Sequence, residues 1–281
     1  DGLRASAAVR ALPRPLPRRL LLAASLGNAL EWYDFAVYGA LAATLGRVFF
    51  PASDPQAALL QSLAVFAVGY LMRPVGSLVL GPIGDRVGRR SLLMVSVLVM
   101  AVASTLIGLL PSHGQWGLSA GWALILLRML QGFSLGGEYT GSITYVVESA
   151  PAQRRGRLGS LPAAGSIVGF VAGSLIASLV QAVLPAAALD AWGWRLPFLL
   201  AGLLSLGSLW LRSGLPELEA EAPAPAAAAF FACLRRDGSR VLQVLAILAF
   251  EKVSFYLVFV FWVQQASSLD PARAAAFTGL C

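Results

Sequence analysis

The chain has 281 residues, 58% hydrophobic and 12% charged, with a mean hydropathy of +0.74. A soluble domain carries about 25% charged residues, so this composition excludes one and indicates an integral membrane protein. A formal net charge of +7 would suit nucleic acid, but the basic residues stand in short clusters between apolar runs, without interleaved aromatics; the charge is therefore read as membrane topology, with no nucleic-acid partner.

A helix crosses the roughly 30 Å hydrocarbon core in about 20 apolar residues. On that measure 1–19 is a cytoplasmic tail, and spans are predicted at 20–46, 57–80, 91–111, 120–147, 158–183 and 194–212. These six make an all-α integral-membrane bundle over 20–212. The Ala-, Pro- and Glu-rich stretch 213–240 reads as a cytoplasmic linker, and 241–281 opens a second bundle, with a seventh span at 241–265 and an eighth beginning near 272. The opening RPLPRRLLLAASLGNA has the basic and apolar parts of a signal peptide, but the apolar part runs on past Ala29 and a full set of spans follows. A start at Asp1 rather than Met, and an end within an apolar segment, point to a piece of a longer protein.

Arginine marks alternate connections. The tail has Arg4, Arg10, Arg14, Arg18 and Arg19, the second connection Arg86, Arg89 and Arg90, and the fourth Arg154, Arg155 and Arg157. The positive-inside rule places these on the cytoplasmic side, the N-terminus included. Gly165, Gly169 and Gly173 in the fifth span, and Gly132 and Gly136 in the fourth, offer smooth faces for close helix packing, here read as packing within one monomeric chain. Cys233 and Cys281 form no CxxC pair and His113 is the single histidine, so neither a disulfide framework nor a metal site is indicated. Nothing has the spacing of an intramembrane enzyme's nucleophile and base, and no G-x-x-x-x-G-K-[ST] loop suggests ATP-driven transport.

The apolar spans carry charges that cost about 2.5–3.5 kcal/mol each at the bilayer centre. At 100° per residue Asn28, Glu31, Asp34 or Phe35, and Tyr38 share one stripe of the first span, and that face is expected to line a cavity. Arg128, Gln131, Glu138, Ser142 and Tyr145 share a stripe of the fourth, and Glu251, Lys252 and Tyr256 lie in the seventh. With span one running outward and span four inward, Asp34 falls near mid-membrane and Arg128 about two turns from the outer end, within side-chain reach, which predicts a buried ion pair. A carboxylate between apolar surroundings that favour its neutral form and an arginine that favours its charged form suits a site that loads and releases a proton. Glu31, one turn from Asp34, either shares that proton or contacts solute. Asn28, Tyr38, Gln131, Glu138, Tyr145, Lys252 and Tyr256 are candidates to bind the solute. Arg73 is expected to snorkel to the interface, Arg195 to anchor span six, and Glu148 to join the arginines of the second connection.

That connection reads GPIGDRVGRRSLL. Gly81, Asp85, Arg86, Gly88, Arg89 and Arg90 resemble, position for position, the G-x-x-x-D-R-x-G-R-R loop of the major facilitator superfamily. With Glu148 these residues form an expected cytoplasmic gate that opens and closes with the transport cycle. GNALEWYDFAVYG, RPVGSLVLGPIGDRVGRR, RMLQGFSLGGEYTGSITYVVESAPAQRRG and WGWRLPFLLAG are further similar to the metabolite:proton symporter branch, whose members move proline and betaine, α-ketoglutarate, citrate or shikimate. The resemblance implies a twelve-span transporter of the inner membrane, of which this chain holds the first six-helix half and the start of the second. It implies proton-coupled symport of a small carboxylate or zwitterion, with the proton as coupling ion and no cofactor. An Asp in helix one and an Arg in helix four serve coupling in proton-coupled sugar porters of the superfamily, and Asp34 and Arg128 fall at those positions. An uncoupled facilitator, a drug/proton antiporter and a transporter-like sensor are the alternatives that share this fold.

Overall fold

The computed structural model describes residues 18–214 and 226–256. Within those helices the side chains of Asp85, Arg89, Glu251, Lys252 and Tyr256 lie outside the described set, as do the tail over 1–17 and everything expected beyond 256. The regular elements are helical throughout the described residues. One compact unit contains α1 (Arg18–Ala40), α2 (Ala42–Phe49), α3 (Pro55–Val87), α4 (Arg89–Leu109), α5 (Leu118–Leu135), α6 (Glu138–Ser149), α7 (Arg155–Val183) and α8 (Arg195–Ser213). A second unit begins with α9 (Ala226–Tyr256).

Six traverses result, because α1 with α2 and α5 with α6 each make one crossing with a break. Five described helices are long and apolar enough to cross a membrane: Pro55–Gly84, Arg90–Leu109, Leu118–Leu135, Ala152–Val183 and Ala186–Ser213. The first traverse falls short of that apolarity although α1 has 23 residues, since its length is interrupted by Asn28, Glu31 and Asp34.

Three boundaries differ from those expected. The second span does not end at 80: GPIGDRV continues α3 to Val87, with Pro74 and Pro82 inside the helix. The turn contracts to Gly88, whose φ of 95° suits a residue without a side chain, and its N–H donates to the Gly84 carbonyl at 3.0 Å. The fourth span breaks at Gly136 and Gly137, between α5 and α6. The expected linker is helical from Ala226, with one non-helical residue, Asp237.

Glycine sets the closest helix contacts. A Cβ on Gly165, Gly169 or Gly173 of α7 would meet the carbonyls of Ser25, Ala29 and Tyr33 of α1 in turn. Gly132 of α5 and Gly136 just beyond its end lie in the same way against the backbone of Gly69, Arg73 and Gly76 in α3. Both small-residue faces expected from spacing are thus seams inside the bundle.

At the arginine-rich end a small core joins Ala23, Ala24, Leu93, Tyr145 and Val146. A larger one at the opposite end joins Val37, Leu41, Leu45, Phe49, Leu124, Trp194 and Phe198. There Arg47 grips Asp190 with two hydrogen bonds, Nε to Oδ2 at 2.9 Å and Nη2 to Oδ1 at 2.7 Å. Arg195 donates to the carbonyls of Gly108 and Leu110 at 3.0 and 2.6 Å, so it anchors α8 by capping the end of α4. Between the two apolar cores lies a layer of charge.

Candidate proton-coupling site

Asp34 is 1% exposed and Arg128 2%, and they form the expected ion pair at 2.6 Å. The pair belongs to a closed ring. Arg128 Nη1 donates to Asp34 Oδ2 and, at 2.8 Å, to Gln131 Oε1. Gln131 Nε2 donates to Ser104 Oγ at 2.8 Å, and Ser104 Oγ returns to Asp34 Oδ1 at 3.0 Å. Three helices supply it: α1 the acid, α4 the serine, α5 the arginine and glutamine one turn apart. Every donor in the ring points toward the carboxylate, so the arrangement is satisfied with Asp34 ionised. A proton added to Oδ2 faces an N–H and breaks the bond to Arg128; one added to Oδ1 requires the Ser104 hydroxyl to turn round.

The guanidinium of Arg128 lies 3.8 Å from the centre of the Tyr38 ring, and Tyr38 donates its hydroxyl to the Ser62 carbonyl at 3.0 Å. Nε and Nη2 of Arg128 have no hydrogen-bond partner among the described residues, so the ring face takes the place of acceptors on that side.

Glu31, fully buried, meets Arg73 Nη2 at 2.8 Å. Arg73 therefore does not simply snorkel outward; its guanidinium turns inward across the rings of Phe35 and Tyr70, at 4.2 and 4.6 Å from their centres. Glu138 pairs with Arg212, both 1% exposed. Asn28 Nδ2 donates to Ser142 Oγ at 3.0 Å, and Tyr145 is buried in the core at the arginine-rich end.

The polar stripes of spans one and four are therefore real, but they face one another. Asn28, Glu31, Asp34, Tyr38, Gln131, Glu138, Ser142 and Tyr145 are each no more than 1% exposed, so the expectation that this face lines a cavity is corrected. Periodicity shows which residues share a face and not what that face meets. The sequence reading assigns no role to Ser104, Arg212 or the Glu31–Arg73 contact. Signals for two of these exist: Ser96 and Ser104 lie two turns apart in an apolar span, and Ser205, Ser208 and Arg212 repeat at helical spacing, all five buried. Among the gate residues, Arg90 Nη2 donates to the Ser213 carbonyl at 2.6 Å, joining the Gly88 turn to the end of α8. Gly81 lies within α3, and Arg86 and Glu148 are exposed.

Residues 20–218, most of the six-helix unit, match the family described as Sugar (and other) transporter. The chain belongs to this family of the major facilitator superfamily. It is 45% identical over 203 residues to the glycine betaine/proline/ectoine/pipecolic acid transporter OusA of Dickeya dadantii, covering 72% of this chain and 40% of that protein. It is 44% identical over 203 residues to the proline/betaine transporter of Escherichia coli, covering 72% and 41%. With the ectoine/proline transporter ProP of Corynebacterium glutamicum it shares 43% identity over 219 residues, covering 75% and 43%. The chain thus spans about two fifths of the length of these relatives. Among solved structures, the proton:xylose symporter XylE superposes with a TM-score of 0.65 at 23% identity, over 71% of this chain and 44% of that one. A partially occluded, inward-open form of XylE from E. coli gives 0.63 at 25% identity, over 71% and 48%. The resemblance read from the loop and span motifs holds: the chain has the major facilitator fold and belongs to a family of membrane transporters.

Proposed function

We propose that this chain forms the proton-coupling half of a symporter for a small polar metabolite, a carboxylate or zwitterion, in the inner membrane with its N-terminus cytoplasmic. The buried ring around Asp34 carries the reading. Water reaching the ring from one side delivers a proton to Asp34, Arg128 is released, and the Arg128–Gln131–Ser104 bonds rearrange. Loss of the proton to the other side restores the pair. Because α1, α4 and α5 each contribute to the ring, its closure and opening bear on how these helices pack, which is the link between proton and conformation that alternating access needs. The relatives' names, which include proline, betaine and ectoine, support the solute class. Arginine-rich alternate connections, all on one side, support the orientation.

One charge moved inward through 100 mV yields about 2.3 kcal/mol, which sustains roughly fiftyfold accumulation of a net-neutral solute. The test is uptake by the purified protein in proteoliposomes, over a panel of betaines, amino acids and carboxylates, with and without a pH gradient. Accumulation that needs the gradient is expected. Equilibration without accumulation would make the protein an uncoupled facilitator, and accumulation driven by an outward proton flow an antiporter.

A further inference from the structure

Among the described residues three ion pairs lie in the buried layer, and one differs from the others. The side chains of Asp34–Arg128 and Glu138–Arg212 are no more than 2% exposed, whereas Arg73 is 22% exposed above a Glu31 that is 0% exposed. Arg73 uses Nη2 on Glu31, and its Nε has no hydrogen-bond partner among the described residues. Part of its planar fork is therefore unused in the buried layer, on a side chain that still reaches the bundle surface elsewhere. Its guanidinium lies on the rings of Phe35 and Tyr70, whose centres are 4.7 Å apart, with Phe66 closing the group at 5.5 and 5.2 Å.

We propose that the Glu31–Arg73 pair is the binding site of a zwitterionic solute, which inserts between the two side chains with its carboxylate on Arg73 and its ammonium on Glu31, against Phe35 and Tyr70. This rests on the symport reading. Charge alternation decides the class. Glu31, ammonium, carboxylate and Arg73 form a line of alternating signs, so a zwitterion enters without adding net charge to a buried layer. An anion or a cation alone would leave one buried charge without its partner. The aromatic faces that hold a guanidinium hold a quaternary ammonium by the same attraction. Phe35 also ties this pair to the proton ring, since the Arg128 guanidinium lies 5.7 Å from its centre.

The test is counterflow of labelled glycine betaine in proteoliposomes without a pH gradient. It is competed by unlabelled betaine, by 3,3-dimethylbutyrate, in which carbon replaces the ammonium nitrogen, and by choline, which lacks the carboxylate. Wild-type protein should prefer betaine to either by about tenfold or more. Glu31→Gln should shift preference toward dimethylbutyrate by about tenfold, because Arg73 then stands as an unpaired cation, and Arg73→Gln should shift it toward choline. A merely structural pair would weaken all competitors alike, and an unchanged order in folded Glu31→Gln overturns the proposal. Should that variant fail to fold, Phe35→Leu and Tyr70→Leu decide: betaine competition must fall while that of dimethylbutyrate stays, and equal effects on both overturn the site. A wild-type protein that accumulates a solute carrying only one sign of charge, and ignores betaine and the amino acids, overturns the zwitterion site alone. One that accumulates nothing under a pH gradient overturns the symport reading as well.

Discussion

Arg212, in the last turn of α8, closes its guanidinium on Glu138, the first residue of α6, with both side chains shut away from solvent. Nη1 donates to Glu138 Oε2 at 3.2 Å and to the Leu93 carbonyl at 2.8 Å, and Nε donates to the Ala23 carbonyl at 3.3 Å. One arginine thereby fastens α1, α4, α6 and α8. Gly27 makes the room, since a Cβ there would strike the guanidinium. The carboxylate sits at a helix N-terminus created by the Gly136–Gly137 break, where the exposed N–H groups favour negative charge.

Removing one partner of this pair leaves the other buried and unpaired. Arg212→Met should therefore destabilise the bundle by about 3–5 kcal/mol, while Glu138→Gln combined with Arg212→Met should recover much of that loss. Thermal unfolding of the detergent-solubilised protein reads both. Strictly additive losses across Glu138→Gln, Arg212→Met and the double variant would show that the two residues do not act as a unit.

Asp34→Asn keeps the shape of the ring and removes the group that takes the proton. Exchange of solute across the membrane should survive in part, whereas accumulation driven by a pH gradient should vanish. Wild-type accumulation by this variant would take the coupling role away from Asp34.

At Arg128 geometry matters along with charge, because a single Nη1 serves both Asp34 and Gln131 while the flat guanidinium covers Tyr38. Arg128→Lys should impair transport nearly as much as Arg128→Ala. Asp34→Asn with Arg128→Ala should cost much less than the sum of the single losses, and rescue by lysine or strict additivity would contradict the ring.

The α1–α7 seam has no space for a side chain. Gly169→Val should lower stability by about 1–3 kcal/mol, since its Cβ meets the Ala29 carbonyl. Gly207→Ala, in open space within α8, provides the contrast and should be neutral or stabilising by up to about 1 kcal/mol. Matching melting points for the two variants would mean the seam is looser than its geometry.

Six traverses, the glycine seams and the Asp34–Arg128 pair were legible because each is written in local spacing: an apolar run, a fourfold glycine repeat, a polar stripe at 100° per residue. What could not be read was which stripe meets which. Glu138 belongs to the stripe of Arg128, yet its partner lies 74 residues away at the end of a different span, where an arginine also serves topology. Arg73 near a helix end has the pattern of a snorkelling residue, and only the three-dimensional approach of α1 turns it inward. The extension of α3 through Pro82 escaped because a Gly- and Pro-rich motif carries the marks of a loop, while a membrane helix tolerates proline when neighbours satisfy its backbone.

In the three buried pairs among the described residues the acid precedes its base along the chain: Glu31 before Arg73, Asp34 before Arg128, Glu138 before Arg212. Synthesis at about 5–20 residues per second makes Asp34 wait about 5–20 s for an arginine 94 residues downstream. An unpaired carboxylate is costly in hydrocarbon, and a neutral acid far less so. The nascent first span therefore meets the hydrocarbon before the arginines that balance its acids have been made, and a proton from the medium is the neutralising partner on hand. Chains arrested before residue 128 should integrate that span less readily as the pH of the translation mixture rises, and chains arrested beyond α8 should be indifferent to it. Equal pH sensitivity at both lengths would mean that the acids find other partners on the way.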